Sequence, residues 1–220
     1  MSRTNLFFVT LFIGFFQLTY AQRNFESYNR LGLSGGLTLY DITTSDFTTQ
    51  QGEGVMVSFT TRGSFYNNFD LIYGLGFYST QLGILAAPLG SPGQGQFLDY
   101  QVQSAQITFQ GSMNIIKHHL SIEAGPILNI SGKLKLKRDA FENYIINGYQ
   151  TLTAADIQDA SRVNFHVAGG ISGGLEQFRL SAQYQYGVTN MLNKLNDKGF
   201  ENQDFDGHSS LFTFSAIFYF

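Results

Sequence analysis

Apolar and polar residues alternate along most of this chain with a period of two, the repeat of a strand whose faces meet different surroundings. Leu31, Leu33, Gly35, Leu37 and Leu39 share one face, with Gly32, Ser34, Gly36, Thr38 and Tyr40 on the other. Val55, Val57 and Phe59 alternate with Met56, Ser58, Thr60 and Arg62. Phe69, Leu71, Tyr73, Leu75 and Phe77 oppose Asp70, Gly74, Gly76 and Tyr78. Ala105, Ile107, Phe109 and Met113 stand against Ser104, Gln106, Thr108, Gln110, Ser112 and Asn114. Leu120, Ile122, Ala124, Leu128, Ile130 and Leu134 face away from Ser121, Glu123, Asn129, Ser131, Lys133 and Lys135. Val163, Phe165, Val167 and Ile171 oppose Asn164, His166, Ala168, Gly170 and Ser172. Phe178, Leu180, Ala182, Tyr184, Tyr186 and Val188 oppose Arg179, Ser181, Gln183, Gln185 and Thr189. Phe212, Phe214, Ala216, Phe218 and Phe220 close the series.

Two places disturb the phase. Tyr100 and Val102 carry apolar side chains on the otherwise polar parity, which predicts a bulge near Gln103. Pro126 demands a bulge or a position where no ladder donor is needed. Between the strands, polar or Pro/Gly-rich stretches at 42–53, 86–97, 137–161 and 190–208 read as long loops. Short turns at Tyr66-Asn67-Asn68, Lys117-His118-His119 and Glu176-Gln177 alternate with them. About eight strands with long and short connections in alternation predict an all-β fold, an eight-stranded antiparallel transmembrane β-barrel of up-and-down meander topology. A soluble lipocalin-like ligand-binding barrel would turn the same alternation inside out.

The termini favour the membrane. Arg3, an apolar run over residues 6–16 and Ala21 form the pattern of a cleaved signal peptide spanning 1–21. A short periplasmic segment, 22–29, and a barrel domain, 30–220, follow. The aromatic end of the chain resembles the C-terminal assembly signal of outer-membrane barrels in Thr213, Ser215, Phe218 and Phe220, with Ser215 where Gly is usual. That resemblance implies contact with barrel-assembly machinery. The chain has 24 Gly, 22 Phe and 12 Tyr, no Cys and only 13% charged residues. Absent Cys excludes disulfides and thiolate chemistry, and a net charge of −3 argues against a nucleic-acid partner.

Candidate chemistry is sparse. Arg62, Asp70, Glu123 and Arg179 all face the polar side near the short-turn end, which predicts a lumen charge network plugging that end. Lys133, Lys135, Lys137 and Arg138 climb toward the outer mouth, as a lipopolysaccharide contact or as a solvated rim. Asp204, Asp206 and Gly207 form a fragment of a calcium loop without its remaining ligands. His118, His119 and His208 have no partner at metal spacing. His166, with Ser131 or Ser172, is the one lead toward a catalytic site, and a hydrogen-bonded lumen histidine is the simpler account. Gly169 to Gly174 reads as glycine that lets a narrow barrel curve. Neither cofactor nor metal is expected.

The stretch Leu120-Ser-Ile-Glu-Ala-Gly-Pro-Ile-Leu-Asn-Ile-Ser-Gly-Lys, with Gly125-Pro126, resembles a strand of the PorT-like outer-membrane β-barrel proteins of Bacteroidetes. Gly63-Ser-Phe-Tyr-Asn-Asn-Phe-Asp-Leu and the Ala21-Gln22 junction are similar too. The resemblance implies a small barrel in the outer membrane of a Gram-negative bacterium, and for one branch a role in protein secretion. Three functions are therefore expected to compete. One is a non-enzymatic, monomeric envelope barrel displaying its loops to a protein partner; the others are a lipid-modifying enzyme and an accessory of a secretion machine.

Overall fold

The computed structural model describes residues 28–117 and 119–220. The expected signal peptide, most of segment 22–29 and His118 lie outside the described residues. Ten strands are defined among them: β1 (Asn29–Thr44), β2 (Thr49–Tyr66), β3 (Phe69–Ala87), β4 (Gln96–Ile116), β5 (Leu120–Ser131), β6 (Lys135–Leu136), β7 (Ile145–Ile146), β8 (Val163–Gly174), β9 (Phe178–Gly187) and β10 (Gly207–Tyr219). All but the two-residue β6 and β7 form one antiparallel ring in chain order. The ring is closed by β10 against β1, from Gly32 opposite Tyr219 to Thr44 opposite Gly207. Phe220 and Leu31 exchange backbone hydrogen bonds of 2.9 and 3.2 Å at the seam. The molecule is an eight-stranded antiparallel transmembrane β-barrel.

Which face is outside decides between the membrane and the soluble alternative. Leu33, Leu37, Val57, Leu75, Phe77, Phe109, Ile122, Val167, Leu180 and Phe214 all point away from the lumen and are exposed. The polar parity points in. Ser34, Gln106, Gln110, Ser112, Asn129 and Thr213 are buried inside the ring. An apolar belt on every stave is stable in hydrocarbon and costly in water, so the soluble lipocalin-like alternative fails here. Closure pairs the backbone groups that lipid cannot satisfy.

The staves are longer than a membrane needs. β3 has 19 residues and β4 has 21, against the ~9–11 residues of a tilted span. Their extra length stands beyond the belt at the long-loop end, and there the interior changes character. Tyr40, Ile42, Leu82, Ile84, Leu98, Tyr100, Val102 and Leu211 point inward and are buried. Residues 132–162 and 188–206 fold over this mouth. They press Leu134, Leu136, Ile146, Leu152, Ile157, Leu192, Leu195 and Phe205 onto those side chains as one apolar core.

This core explains three departures from the sequence expectations. β4 itself carries no bulge near Gln103: its register with β3 runs unbroken from Phe69 opposite Met113 to Ala86 opposite Gln96. Tyr100 and Val102 keep the inward parity because the lumen at their level is apolar. The expected loop 42–53 is largely strand, with the connection reduced to residues 45–48. Its outward Thr and Gln residues meet water while Tyr40 and Ile42 fill the core. Leu134 is buried, whereas Lys133 and Lys135 are exposed. Ser131 lies opposite Ser104 but Lys135 lies opposite Gln101, so four steps on this side meet three on β4, a one-residue slip that reverses the faces.

Pro126 sits where the β4–β5 ladder skips Gly125 and Pro126 without slipping, since Thr108 opposite Ile127 and Gly111 opposite Ala124 lie in one register. The other edge pairs normally, Pro126 opposite Val167 on β8. A Cβ on Gly125 would collide with the Phe109 carbonyl oxygen, so this close approach requires glycine.

Leu75 pairs with Phe59 and Ile107, well inside the belt. Leu75→Arg is expected to destabilise the barrel by roughly 2–4 kcal/mol relative to Leu75→Ala, measured by denaturant unfolding in phospholipid bilayers. A cost near zero would place this face in water.

Candidate functional site

The short-turn end is sealed by charge. Asp70, Ser112, Glu123 and Gly170 lie opposite one another across β3, β4, β5 and β8, so register alone sets two carboxylates on one inward row. Arg62, arriving from β2, reaches both. Its Nε donates to Asp70 at 2.9 Å and its Nη1 to Glu123 at 3.0 Å. Nη2 donates to the Ser112 hydroxyl at 2.7 Å and the Ser121 hydroxyl at 2.9 Å. Asn114 Nδ2 donates to Asp70 at 3.0 Å. Arg179 approaches from β9 and donates to the Ser121 hydroxyl and the Ser172 carbonyl, both at 2.9 Å. Ser172 in turn hydrogen-bonds Glu123.

Arg62, Asp70, Glu123 and Arg179 are all buried, each no more than 4% exposed. Two cations and two anions balance, and the surrounding hydroxyls and amide satisfy directions that the ion pairs leave open. Such a cluster is tolerated in a dry lumen only because its members are paired; removing one member leaves a buried charge. Tyr219 packs beside it, also buried. Arg30 and Glu176 form a more exposed ion pair of 2.9 Å at the very end.

Above the charges lies a polar chamber of about 60 Å³, lined by side chains including Ser58, Thr60, Gln106, Gln110, Gln183 and Thr213. It holds room for little more than water. Higher still, Asn129 Nδ2 donates to the Tyr78 hydroxyl at 2.6 Å, and His166 Nε2 lies 3.1 Å from the Ser209 hydroxyl. Ser131 pairs with Ser104 and Ser172 belongs to the ionic end, so neither serine expected beside His166 bonds to it. No carboxylate hydrogen-bonds this imidazole among the described residues, and at 1% exposure it meets no lipid. This is a hydrogen-bonded lumen histidine. Ser209 was legible only as an inward residue of the last strand; its height beside His166 depended on the β9–β10 register.

The long-loop end is sealed by the apolar core and clipped by polar contacts. Asp159 accepts from Lys194 at 2.6 Å and Lys198 at 2.8 Å, joining the two long connections. Hydrogen bonds from these two ammonium groups hold its carboxyl well below the usual range. One Glu201 oxygen accepts the backbone N–H groups of Gln150, Thr151 and Leu152 at 2.8, 2.8 and 3.1 Å. Those bonds lower its pKa, with Thr151 foremost. Asp46 in the first hairpin receives Asn202 Nδ2 at 3.0 Å and the Asp206 amide at 2.8 Å. Phe47, Tyr149 and Phe205 pack against one another as a cluster of tilted rings, with centroids 5.6–6.2 Å apart.

Among the described residues no cluster of three or more His, Asp or Glu is arranged to hold a metal. Asp206 lies 3.6 Å from His208. The basic run divides: Lys133 and Lys135 line an outer groove, the Lys137 amide bonds Asp99, and Arg138 stacks on Phe141. Thr213 is buried and faces the lumen with Ser215, while Phe218 and Phe220 face outward.

No family model matches the chain, and no curated protein matches it. Among solved structures, Neisserial surface protein A is similar at a TM-score of 0.46 and 11% identity, over 89% of this chain and 100% of that one. The attachment invasion locus protein Ail of Yersinia pestis, solved with the heparin analogue sucrose octasulfate, reaches 0.46 and 14% over 87% and 99%. Identities this low carry no information about a shared role.

In a double-mutant cycle of Arg62→Gln and Glu123→Gln, each single change is expected to destabilise the barrel, with a coupling energy of about 0.5–3 kcal/mol by reversible unfolding. Additive losses would contradict the shared site. The clip predicts an acid effect of definite sign. A carboxyl whose folded pKa is depressed contributes above its unfolded pKa of about 3.9, and that contribution fades as pH falls toward the folded value. Asp159→Asn should therefore speed proteolysis within 132–162 at neutral pH. The ratio of variant to wild-type cleavage should fall toward one below about pH 4.

Proposed function

We propose that this chain is a small, non-enzymatic integral barrel of a Gram-negative outer membrane, whose folded loop cap serves envelope structure or binds a partner. The observation that carries this reading is an apolar belt around a lumen closed at both ends, by buried ion pairs below and an apolar core above. Among the described residues the lumen is filled at both ends, and His166 is buried beside the Ser209 hydroxyl, away from lipid. What it offers the outside is a shaped surface, because residues 132–162 and 188–206 are tied down through Asp159, Glu201 and Asp46.

The similarity of Leu120–Lys133 and Gly63–Leu71 to PorT-like barrels of Bacteroidetes supports the same class. Nothing in the described residues favours its secretion branch or the lipid-modifying alternative. The outward Phe218 and Phe220 at the closing seam suit a C-terminal strand read by barrel-assembly machinery. Export through the 1–21 signal and a monomeric state belong to the same proposal.

Purified protein is expected to migrate faster unboiled than boiled on a denaturing gel, and to give no sustained conductance in planar bilayers. Stable open-channel currents would contradict the closed lumen. Identical migration of both samples would contradict the barrel.

A further inference from the structure

The groove holding Lys133 and Lys135 has a height as well as a charge. Phe77, Ala105, Ile130 and Val163 lie opposite one another on β3, β4, β5 and β8 and form an outward apolar row that gives way to polar residues toward the long-loop end. The next row toward the long-loop end is Ser79 and Gln103, and the Gly132 amide bonds the Gln103 carbonyl at 2.8 Å. From that row the one-residue slip turns Leu134 into the core and leaves Lys133 and Lys135 outside. The result is an outward groove lined by Gln101, Gln103, Gly132, Lys133, Lys135 and Gln158, with a volume of about 260 Å³. It opens just beyond that apolar row, on the long-loop side.

Its donors suit an anion with several oxygens. Lys133, Lys135, Gln103 and Gln158 all line it, and no ion pair engages Lys133 or Lys135 among the described residues. Gln101 is held in place by donating to Ser79 at 3.1 Å. Leu134 N–H bonds the Gln158 carbonyl at 2.9 Å, fixing that wall. Asp99, one outward step beyond Gln101 on β4, is not part of the groove's lining. The chain is acidic overall, at −3, so this concentration of cations is local rather than a general basic surface.

We infer that this groove binds a phosphate of a membrane glycolipid, lipid A in the proposed outer-membrane setting, with Lys133 and Lys135 as its charged ligands. Acyl chains below would lie along Ile130 and Val163 while the phosphate meets the ammonium groups, which pairs both parts of such a lipid. Lys137 and Arg138, outside the groove, belong to the solvated rim. The inference rests on the outer-membrane reading.

The test titrates the purified, folded barrel in detergent with bisphosphorylated lipid A, with the same lipid after phosphatase treatment, and with inorganic phosphate, read by native mass spectrometry. The wild type is expected to favour the phosphorylated lipid by about tenfold or more, the scale of one or two charge-assisted hydrogen bonds. Lys133→Gln with Lys135→Gln should abolish that preference, and Lys137→Gln with Arg138→Gln should leave it. Every variant must keep its heat-dependent gel shift, which certifies the barrel separately from the groove. Equal affinity for the two lipids, or equal losses in both double variants, overturns the inference while the membrane reading stands. Inorganic phosphate held at the groove without any lipid preference overturns it as well, and assigns the site to free anions.

Discussion

The pairing of β10 with β1 is the contact on which the rest depends. An open sheet in hydrocarbon would leave a row of unpaired N–H and C=O groups, each costing several kcal/mol. Once Leu31 and Phe220 exchange hydrogen bonds, the edge disappears and the two faces of every stave acquire fixed meanings. Outward alternates must be apolar. Inward ones can be polar or charged, provided the lumen supplies partners.

The lumen supplies them in layers. A ring this small is filled by its own side chains, so each level is a packing problem rather than a passage. Near the short turns Arg62 bridges Asp70 and Glu123, with serines and Asn114 completing the shell. At mid-height, amides and hydroxyls surround a space of about 60 Å³. Beyond the membrane the staves continue, and with no hydrocarbon outside them the logic inverts: apolar side chains turn in and polar ones face water. The long loops then have something to fold onto, and they become a cap instead of tethers.

That inversion links fold to role. A cap with its own core, closed by Phe47, Tyr149 and Phe205 and clipped by Asp159 with two lysines, presents a defined relief. At its lower margin the slip after Ser131 produces the groove of Lys133 and Lys135. Surface and groove both stand beyond the apolar belt, on the long-loop side.

Much of this was legible in the residues. Period-two alternation located every stave, and parity marked Arg62, Asp70, Glu123 and Arg179 as inward near one end. Inward parity also held the serines and Asn114 that complete their shell, yet only register across non-adjacent strands shows which of them meet. The misread places have two causes, the surroundings of a face and a slip in register. Local alternation reports which residues share a face, but not what that face touches at a given height. Tyr100 and Val102 looked out of phase because an apolar residue was equated with lipid, when at their level the apolar medium is the loop core. Residues 42–53 looked like a loop because Thr and Gln on a strand that has left the membrane resemble a turn. Leu134 and the two lysines exchanged faces through a slip that no composition betrays. The sequence by itself determined a closed barrel and its two faces, because alternation is local; only the tertiary structure decided where lipid ends and the cap begins, because that depends on residues far apart in the chain.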